Sequence, residues 1–417
     1  MRYAPEGSKY FDRLETRTTD ERETSLFRSL PAFAAHAKSN SLYYAKLLEH
    51  FDPAAVTSRR ALADLPVTRK SELMQRQQKM LPFGGFNTLA YGEMARIFAS
   101  PGPIYEPEAR RPDYWRTGRA LFAAGFRKGD VIHNSFSYHL TPAGSVIETG
   151  AHALGCAVVP GGVGQTELQL RAIADIRPNG YAGTPSFLRI LLEKAADTAI
   201  ELSCIRKALL SGEAFGGVLR TQFEQAGITS SQCYATADAG LIAYESQGLQ
   251  GLILDEHLIL EIVSPGTGDP VDGDAVGEVL VTVLTPEYPL IRFSTGDLSA
   301  YLSGTSPCGR TNQRIKGWMG RADQATKVRG MFVHPSQVEE IMRRHEEIAA
   351  ARVVVSHDEH GKDQMVLKIE TRSPISDYRA IMRTIVAVTR LRGSVEQAPP
   401  GSLVTGDPLI TDARKYD

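Results

Sequence analysis

The chain has 417 residues, enough for two or three domains around a large core. Its 47 Lys and Arg nearly balance 48 Asp and Glu, and the net charge of −1 excludes a broad surface for nucleic acid or acidic membrane. With 42% hydrophobic and 23% charged residues the composition is that of an ordinary globular protein, and no run of about 18 apolar residues marks a membrane span.

The N-terminal stretch MRYAPEGSKYFDRLETRTTDERE is polar and mixed in charge, without the apolar segment of a secretory leader, so a cytoplasmic protein is expected. Residues 20–50 are predicted helical, because Leu26, Phe27, Leu30, Phe33 and Ala34, then Tyr43, Leu47 and Leu48, recur at three- and four-residue spacing. In LPVTRKSEL, Thr68 is placed to cap a further helix, with Ser71 and Glu72 in its first turn. From about Asp130 apolar strands (VIHNSF, CAVVP, NGYAG, IRKALLSG) alternate with amphipathic helices (GSVIETGAHALG, Leu168–Ile176, Phe187–Ala196). That alternation predicts an α/β fold built on a mostly parallel sheet with both faces covered. After Gly251 the signal turns β-rich: LILEIV and GEVLVTVL flank the turn-rich SPGTGDPVDGDAVG, which predicts an antiparallel or barrel-like subdomain over about 251–319. Beyond Gly320, Val338, Ile341 and Met342 line one helix face, RVVV and MVLKIE are strands, and Tyr378–Leu391 is a second helix. The organisation expected is a large domain over 1–322 and a small C-terminal α+β domain over 323–417.

Three late segments carry most of the functional information. IRFSTGDL (291–298) reads as a buried strand delivering Asp297 behind a Thr-Gly turn, followed by GRADQATKVRG (320–330) and HPSQVEE (334–340). Together with LPVTRKSEL, GQTELQ (164–169), TPSF (184–187), DEHL (255–258) and GEVLVTVLT, in that order and at those spacings, the chain resembles the phenylacetate–CoA ligase family of adenylate-forming enzymes.

The resemblance implies ATP or AMP, Mg²⁺ and coenzyme A as cofactors. It also implies site residues. Asp297 corresponds to the aspartate that accepts the ribose hydroxyls, bidentate acceptance being natural for an ionised carboxylate; the alternative is a turn aspartate capping the Thr295-Gly296 bend. Gly212, Glu213 and Ala214 match the loop over the adenine, or are simply a strand-to-helix turn. Within YATAD (234–238), Tyr234 stacks on adenine and Asp238 holds Mg²⁺, its shorter reach than glutamate calling for an intervening water. Arg321 meets ribose or phosphate, or makes a surface ion pair of little energetic weight. Asp238, Arg321 and Arg329 form the implied catalytic set. Tyr138, His139, Leu140 and Ala235 line the implied acyl pocket, although a lone histidine such as His139 is more often a core or surface residue.

Three departures stand out. The family's phosphate loop, S-S-G-T-T-G-x-P, wraps phosphates with hydroxyls and a pliant backbone. The aligned residues here are ASPGPIYEP (99–107), with Pro101 and Pro103 lacking N–H donors and Glu106 and Glu108 expected near the phosphate charge. At an effective dielectric near 20, a like-charge contact at about 4 Å costs about 4 kcal/mol, unless Arg110 and Arg111 fold back to offset it. The family's C-terminal lysine aligns with Asp407 in GSLVTGDPLITDARKYD, Arg414 and Lys415 being available only after a register shift. Its zinc quartet is reduced to Cys308, with Ser306, Ser246 and Ile253 at the other places, so no zinc is expected; Cys156, Cys204 and Cys233 read as thiols in a reducing cytosol.

Three functions are compatible with this pattern. The leading one is a ligase-like enzyme that forms or transfers the acyl thioester of an aromatic or small hydrophobic acid. A second is an ATP-independent acyltransferase between coenzyme A and an acyl-carrier protein. A third is a non-catalytic ligand-binding homologue. The partners expected are the acid or its thioester and a carrier protein, with neither nucleic acid nor membrane, and the resemblance admits a homodimer.

Overall fold

The computed structural model describes residues 7–322, 326–329, 331–333, 335–372, 375, 377–403 and 408–414. The chain divides into two compact units, Met1–Met319 and Gly320–Asp417.

In the first unit, a capping box between Thr18 and Glu21 starts the helix Thr19–Asn40, which buries Leu26, Phe27, Leu30, Phe33 and Ala34. The helix predicted over 20–50 breaks at Ser41. This residue is extended, accepts from Tyr44 N to start a second helix, Leu42–Leu47, and donates to the Gly85 carbonyl at 2.8 Å. Strand β1 (Thr68–Arg69) follows. Thr68 is not the helix cap that its sequence context suggests: its hydroxyl donates to Ile291 O at 3.0 Å, and the helix Lys70–Lys79 has no side-chain cap. The long-range partner outcompetes the local one because Thr68 is fully buried, where an unmet hydroxyl would be costly.

Strands β2 (Met94–Ser100) and β3 (Ile104–Ala109) pair as an antiparallel hairpin. Next come β4 (Val131–Asn134), β5 (Ala157–Pro160), β6 (Gly180–Gly183), β7 (Lys207–Leu210) and β8 (Thr229–Thr236), all parallel, with helices between them. β9 (Gly240–Tyr244) turns back antiparallel on β8, and β10 (Leu252–Leu254) continues the sheet. β11 (Leu258–Val263), β12 (Gly277–Val283) and β13 (Leu290–Ser299) form a second sheet, antiparallel except for β1, in the order β1-β13-β12-β11. β14 (Tyr301–Leu302) and β15 (Arg314–Ile315) return to the large sheet, whose order is β14-β15-β10-β9-β8-β7-β6-β4-β5. The strands of 251–319 are thus shared between two sheets, and the smaller sheet is open.

The second unit has a hairpin of β16 (Thr326–Val328) and β17 (Met331–Val333). β18 (Ile348–His357), β19 (Asp363–Thr371), β20 (Ser394–Gln397) and β21 (Ile410–Asp412) form a sheet in the order β20-β19-β18-β21. The helices Pro335–Arg344 and Arg379–Thr389 bury Val338, Ile341, Ile381 and Ile385 in a core shared with Val353, Val355, Leu367 and Ile369. Among the described residues, no helix is long and apolar enough to cross a membrane.

β13 is fixed by Arg292, which is 2% exposed. Its guanidinium pairs with Glu261 on β11 and donates to the carbonyls of Ala63, Leu65 and Gly268 at 2.6–2.7 Å. Arg292→Leu should lower unfolding stability by about 3–5 kcal/mol in denaturant titration, since Glu261 and three carbonyls lose their donor; a loss below about 1 kcal/mol would show that Arg292 anchors nothing.

Asp113 accepts the Gly118 N–H at 3.0 Å at the start of the helix Gly118–Ala123. Burial pushes its carboxyl up to about 7, only partly offset by that hydrogen bond. The folded state therefore keeps a proton that the unfolded chain loses near pH 4, so this group lowers stability as pH rises from about 4 to about 7. Asp113→Asn keeps the acceptor and tolerates the local backbone (φ 49°), and should flatten that fall in denaturation midpoint; an unchanged pH profile would refute the assignment.

Candidate active site

Between the pairs Glu278–Leu298 and Leu280–Ser294, the ladder of β12 and β13 slips, so that Thr295, Gly296 and Asp297 oppose Val279 alone. Gly296 supplies the positive φ of 73° that this bulge needs. A bulge re-aims a side chain out of the ladder, and Asp297 is the residue re-aimed. Its Oδ2 accepts the Tyr234 hydroxyl of β8 at 2.7 Å, and its Oδ1 accepts Trp318 Nε1–H at 3.0 Å. Tyr234 OH is also 3.2 Å from Thr295 Oγ1, which in turn accepts the Asp297 N–H. Asp297 is 6% and Tyr234 9% exposed, so these donors hold a carboxylate largely withdrawn from water. Tyr234, expected as a stacking ring, has its hydroxyl committed to this carboxylate.

A second group lies around Asp238, which follows β8. Lys70 Nζ is 2.6 Å from Asp238 Oδ2. Glu106 of β3, 1% exposed, accepts the Ser100 hydroxyl at 2.5 Å. Its carboxyl is pushed up to about 8, first by desolvation and then by the nearby Asp238 charge. Glu106 Oε2, Asp238 Oδ1 and the Tyr288 hydroxyl are buried with no hydrogen bond.

Where a pliant loop is the family pattern, β2 and β3 are in register up to Ser100–Ile104, and Gln77 brackets Tyr105 with two 2.8 Å bonds to its backbone N–H and C=O. Ala99 N–H donates to Leu140 O at 2.7 Å. Glu108, expected near the phosphate charge, is 2% exposed and bonds Arg96, Ser145 and Trp115 Nε1 (2.7 Å), an internal acceptor that ties the hairpin to the helix Ala143–Leu154.

At the carboxyl ends of the parallel strands, Glu213 is tied to Ser186, accepting its N–H at 3.2 Å and its hydroxyl at 2.9 Å, while Gly212 holds φ 86° and Ala214 is exposed. Tyr138 OH accepts Asn134 Nδ2–H at 2.8 Å, and its ring lies so close over Gly144 that a Cβ there would meet it at 2.8 Å. His139 and Leu140 are exposed, and Ala235 pairs with Leu241 on β9.

In the second unit, Arg321 is half-buried. Arg329, at φ 47°, donates its N–H to Asp363 Oδ2 at 2.8 Å and its guanidinium to the carbonyls of Asp363 and Arg392, bracing the β16–β17 turn. Arg414 pairs with Asp363 and Asp412. Asp407 and Lys415 lie outside the described residues.

Cys308 lies 3.1 Å from Ser306 Oγ and 3.7 Å from Arg310 Nη1. Desolvation raises its thiol pKa, but hydrogen bonds from Ser246, Ser306 and Arg310 outweigh it and bring it down to about 7. Among the described residues, no group of three or more His, Cys, Asp or Glu could hold a metal ion. Lys70 and Trp318 escaped the sequence reading. Lys70 lay inside a recognised motif, but nothing local marks it as the partner of a residue 168 positions away.

Residues 330–406 match the AMP-binding enzyme C-terminal domain. Over 93% of this chain and 88% of the relative, the sequence is 31% identical to a phenylacetate–coenzyme A ligase of Thermus thermophilus. A phenylacetate–coenzyme A ligase of Escherichia coli is 30% identical over 87% of this chain and 85% of its own. Among solved structures, 2-hydroxyisobutyryl-CoA ligase in complex with 2-HIB-AMP and CoA superposes with a TM-score of 0.87 at 21% identity, covering 100% of this chain and 94% of that one, which shows a common fold. With these matches, the chain belongs to the phenylacetate–CoA ligase family of adenylate-forming enzymes.

Proposed function

We propose that the protein is a cytoplasmic acyl-activating enzyme that joins an aromatic or other small hydrophobic carboxylic acid to the thiol of coenzyme A. The observation that carries this reading is the clamped Asp297 carboxylate at the β13 bulge, in a chain of this family. In this reading Asp297 accepts the two ribose hydroxyls of a nucleotide, the Gly212–Ala214 loop borders the base, and Arg321 meets ribose or phosphate. Tyr138, His139, Leu140 and Ala235 border the acyl group, near strand carboxyl ends where ligands sit in parallel α/β sheets.

A metal-bound triphosphate does not fit the side chains around Asp238. Its Oδ2 is held by Lys70, Glu106 stands beside it, and Pro101 and Pro103 have no N–H to offer phosphate oxygens. No step through Mg²⁺ or the outer phosphates is derived for this chain.

That mismatch favours a second reading of the same site: transfer of an acyl group from coenzyme A to the phosphopantetheine thiol of a carrier protein. One acyl carbon–sulfur bond forms as the other breaks, and the proton of the incoming thiol ends on the departing coenzyme A thiol.

Two assays separate the readings. ATP–pyrophosphate exchange with a panel of aromatic acids supports the ligase. Acylation of a carrier protein from acyl-CoA without ATP supports the transferase, and a folded protein inactive in both sinks the proposal. In either case Asp297→Asn, which keeps shape and loses charge, should weaken AMP binding by about tenfold in calorimetry, because hydrogen bonds to a charged acceptor are roughly twice as strong as neutral ones. Unchanged affinity in the folded variant would show Asp297 to be only a turn residue.

A further inference from the structure

The carboxylate of Asp297 is gripped from two sides, and the two grips differ in kind. Tyr234 reaches it from the large sheet, through β8. Trp318 reaches it from a segment that belongs to no strand, between β15 and the end of the first unit at Met319. That segment is itself fastened to β13 on both sides of the indole. Lys316 N–H donates to Ala300 O and Met319 N–H to Leu298 O, each at 2.9 Å, and Ser299 Oγ donates to Gly317 O at 2.6 Å. The indole is therefore placed by the strand whose aspartate it serves.

We propose that Trp318 is a positioning residue for nucleoside recognition, its indole N–H fixing the plane of the Asp297 carboxylate so that a ribose cis-diol meets a preset pair of acceptors. The inference rests on the reading that Asp297 takes the ribose hydroxyls.

The physical case is one of torsional freedom. The terminal torsion of an aspartate is broad and roughly two-fold, so one donor leaves the carboxylate plane loosely set. A second donor on the other oxygen, coming from a different element, sets it. A carboxylate has acceptor capacity for about four donors, so the bonds from Tyr234 and Trp318 do not by themselves exclude ribose hydroxyls. The indole N–H only donates and cannot turn into a competing acceptor, unlike a hydroxyl or an amide at the same place. A site held in this way loses little freedom when the diol arrives, which is how preorganisation raises affinity.

The test is a cycle between protein and ligand in the full chain, with AMP and 2′,3′-dideoxy-AMP titrated calorimetrically into wild type and Trp318→Phe. Wild type should prefer AMP. The variant should lose AMP affinity on the order of tenfold, as for one hydrogen bond to a charged group, and keep its affinity for the dideoxy nucleotide, so that diol discrimination shrinks by the same factor. Equal loss for both ligands would make Trp318 a merely structural residue, and discrimination kept in the variant would equally overturn the proposal. A wild type without any preference for AMP sinks the Asp297 reading and this inference with it.

A second measurement needs no variant. The chain has two tryptophans, and Trp115 is 2% exposed and bonded to Glu108. Indole emission of the wild type should shift more on saturation with AMP than with dideoxy-AMP. Identical responses to the two ligands would overturn the proposal even if Trp318→Phe fails to fold.

Discussion

A desolvated guanidinium at Arg292 is the constraint on which the site depends. Arginine is always charged, and in a dry interior it must be met by acceptors on every edge. Here they are the Glu261 carboxylate and three backbone carbonyls drawn from residues 63, 65 and 268. These acceptors lie on different pieces of chain, so satisfying one side chain brings the N-terminal loop, the turn after β11 and β13 into fixed relation. Five residues further along β13 the ladder opens into the bulge that carries Asp297. The bulge gives up regular pairing and can be held in one geometry because the strand before it cannot slide.

A second charged network does comparable work elsewhere in the first unit. Glu15, with 0% exposure, meets Arg119, Arg310 and the Tyr244 hydroxyl; Arg119 also meets Asp12, while Glu256 meets Arg17 and Arg22. Buried ion pairs are weak evidence for net stability, since desolvation offsets most of their attraction. Their consequence is geometric: an N-terminal segment near residue 15 is latched to residues around 310, close to Cys308. In that neighbourhood it is arginine–carboxylate geometry that cross-links distant segments.

The periodic elements were legible because their signal is local. Apolar spacing placed the first helix, the strands and helices after Asp130, and the small C-terminal core, and the order of short motifs led to Asp297 and Tyr234. What was not legible is what long-range contact decides. Thr68 has the local chemistry of a helix cap, yet its hydroxyl is claimed by Ile291, 223 positions away. Ser41 interrupts a continuous apolar pattern because a carbonyl at Gly85 waits for its hydroxyl. Glu106 and Glu108 look alike on paper as two acids in a loop. Strand alternation did not separate them, since both are buried, but their partners did: a hydroxyl and a nearby aspartate for one, and a guanidinium, a hydroxyl and an indole for the other.

The two halves of the site follow different physical designs. Around Asp297, Tyr234 and Trp318 are neutral donors to the two oxygens of a single carboxylate. Around Asp238 the charge is already compensated by Lys70, and the neighbouring Glu106 is driven toward its neutral form by burial. An outer phosphate arriving there would have to draw Lys70 away from Asp238, exposing two buried carboxylates to each other, and the hairpin tip offers two prolines where phosphate oxygens need N–H groups. Lys70 does not satisfy this region completely, since Glu106 Oε2, Asp238 Oδ1 and the Tyr288 hydroxyl stay buried without a hydrogen bond, and the raised pKa of Glu106 is what lets two neighbouring buried carboxyls coexist there.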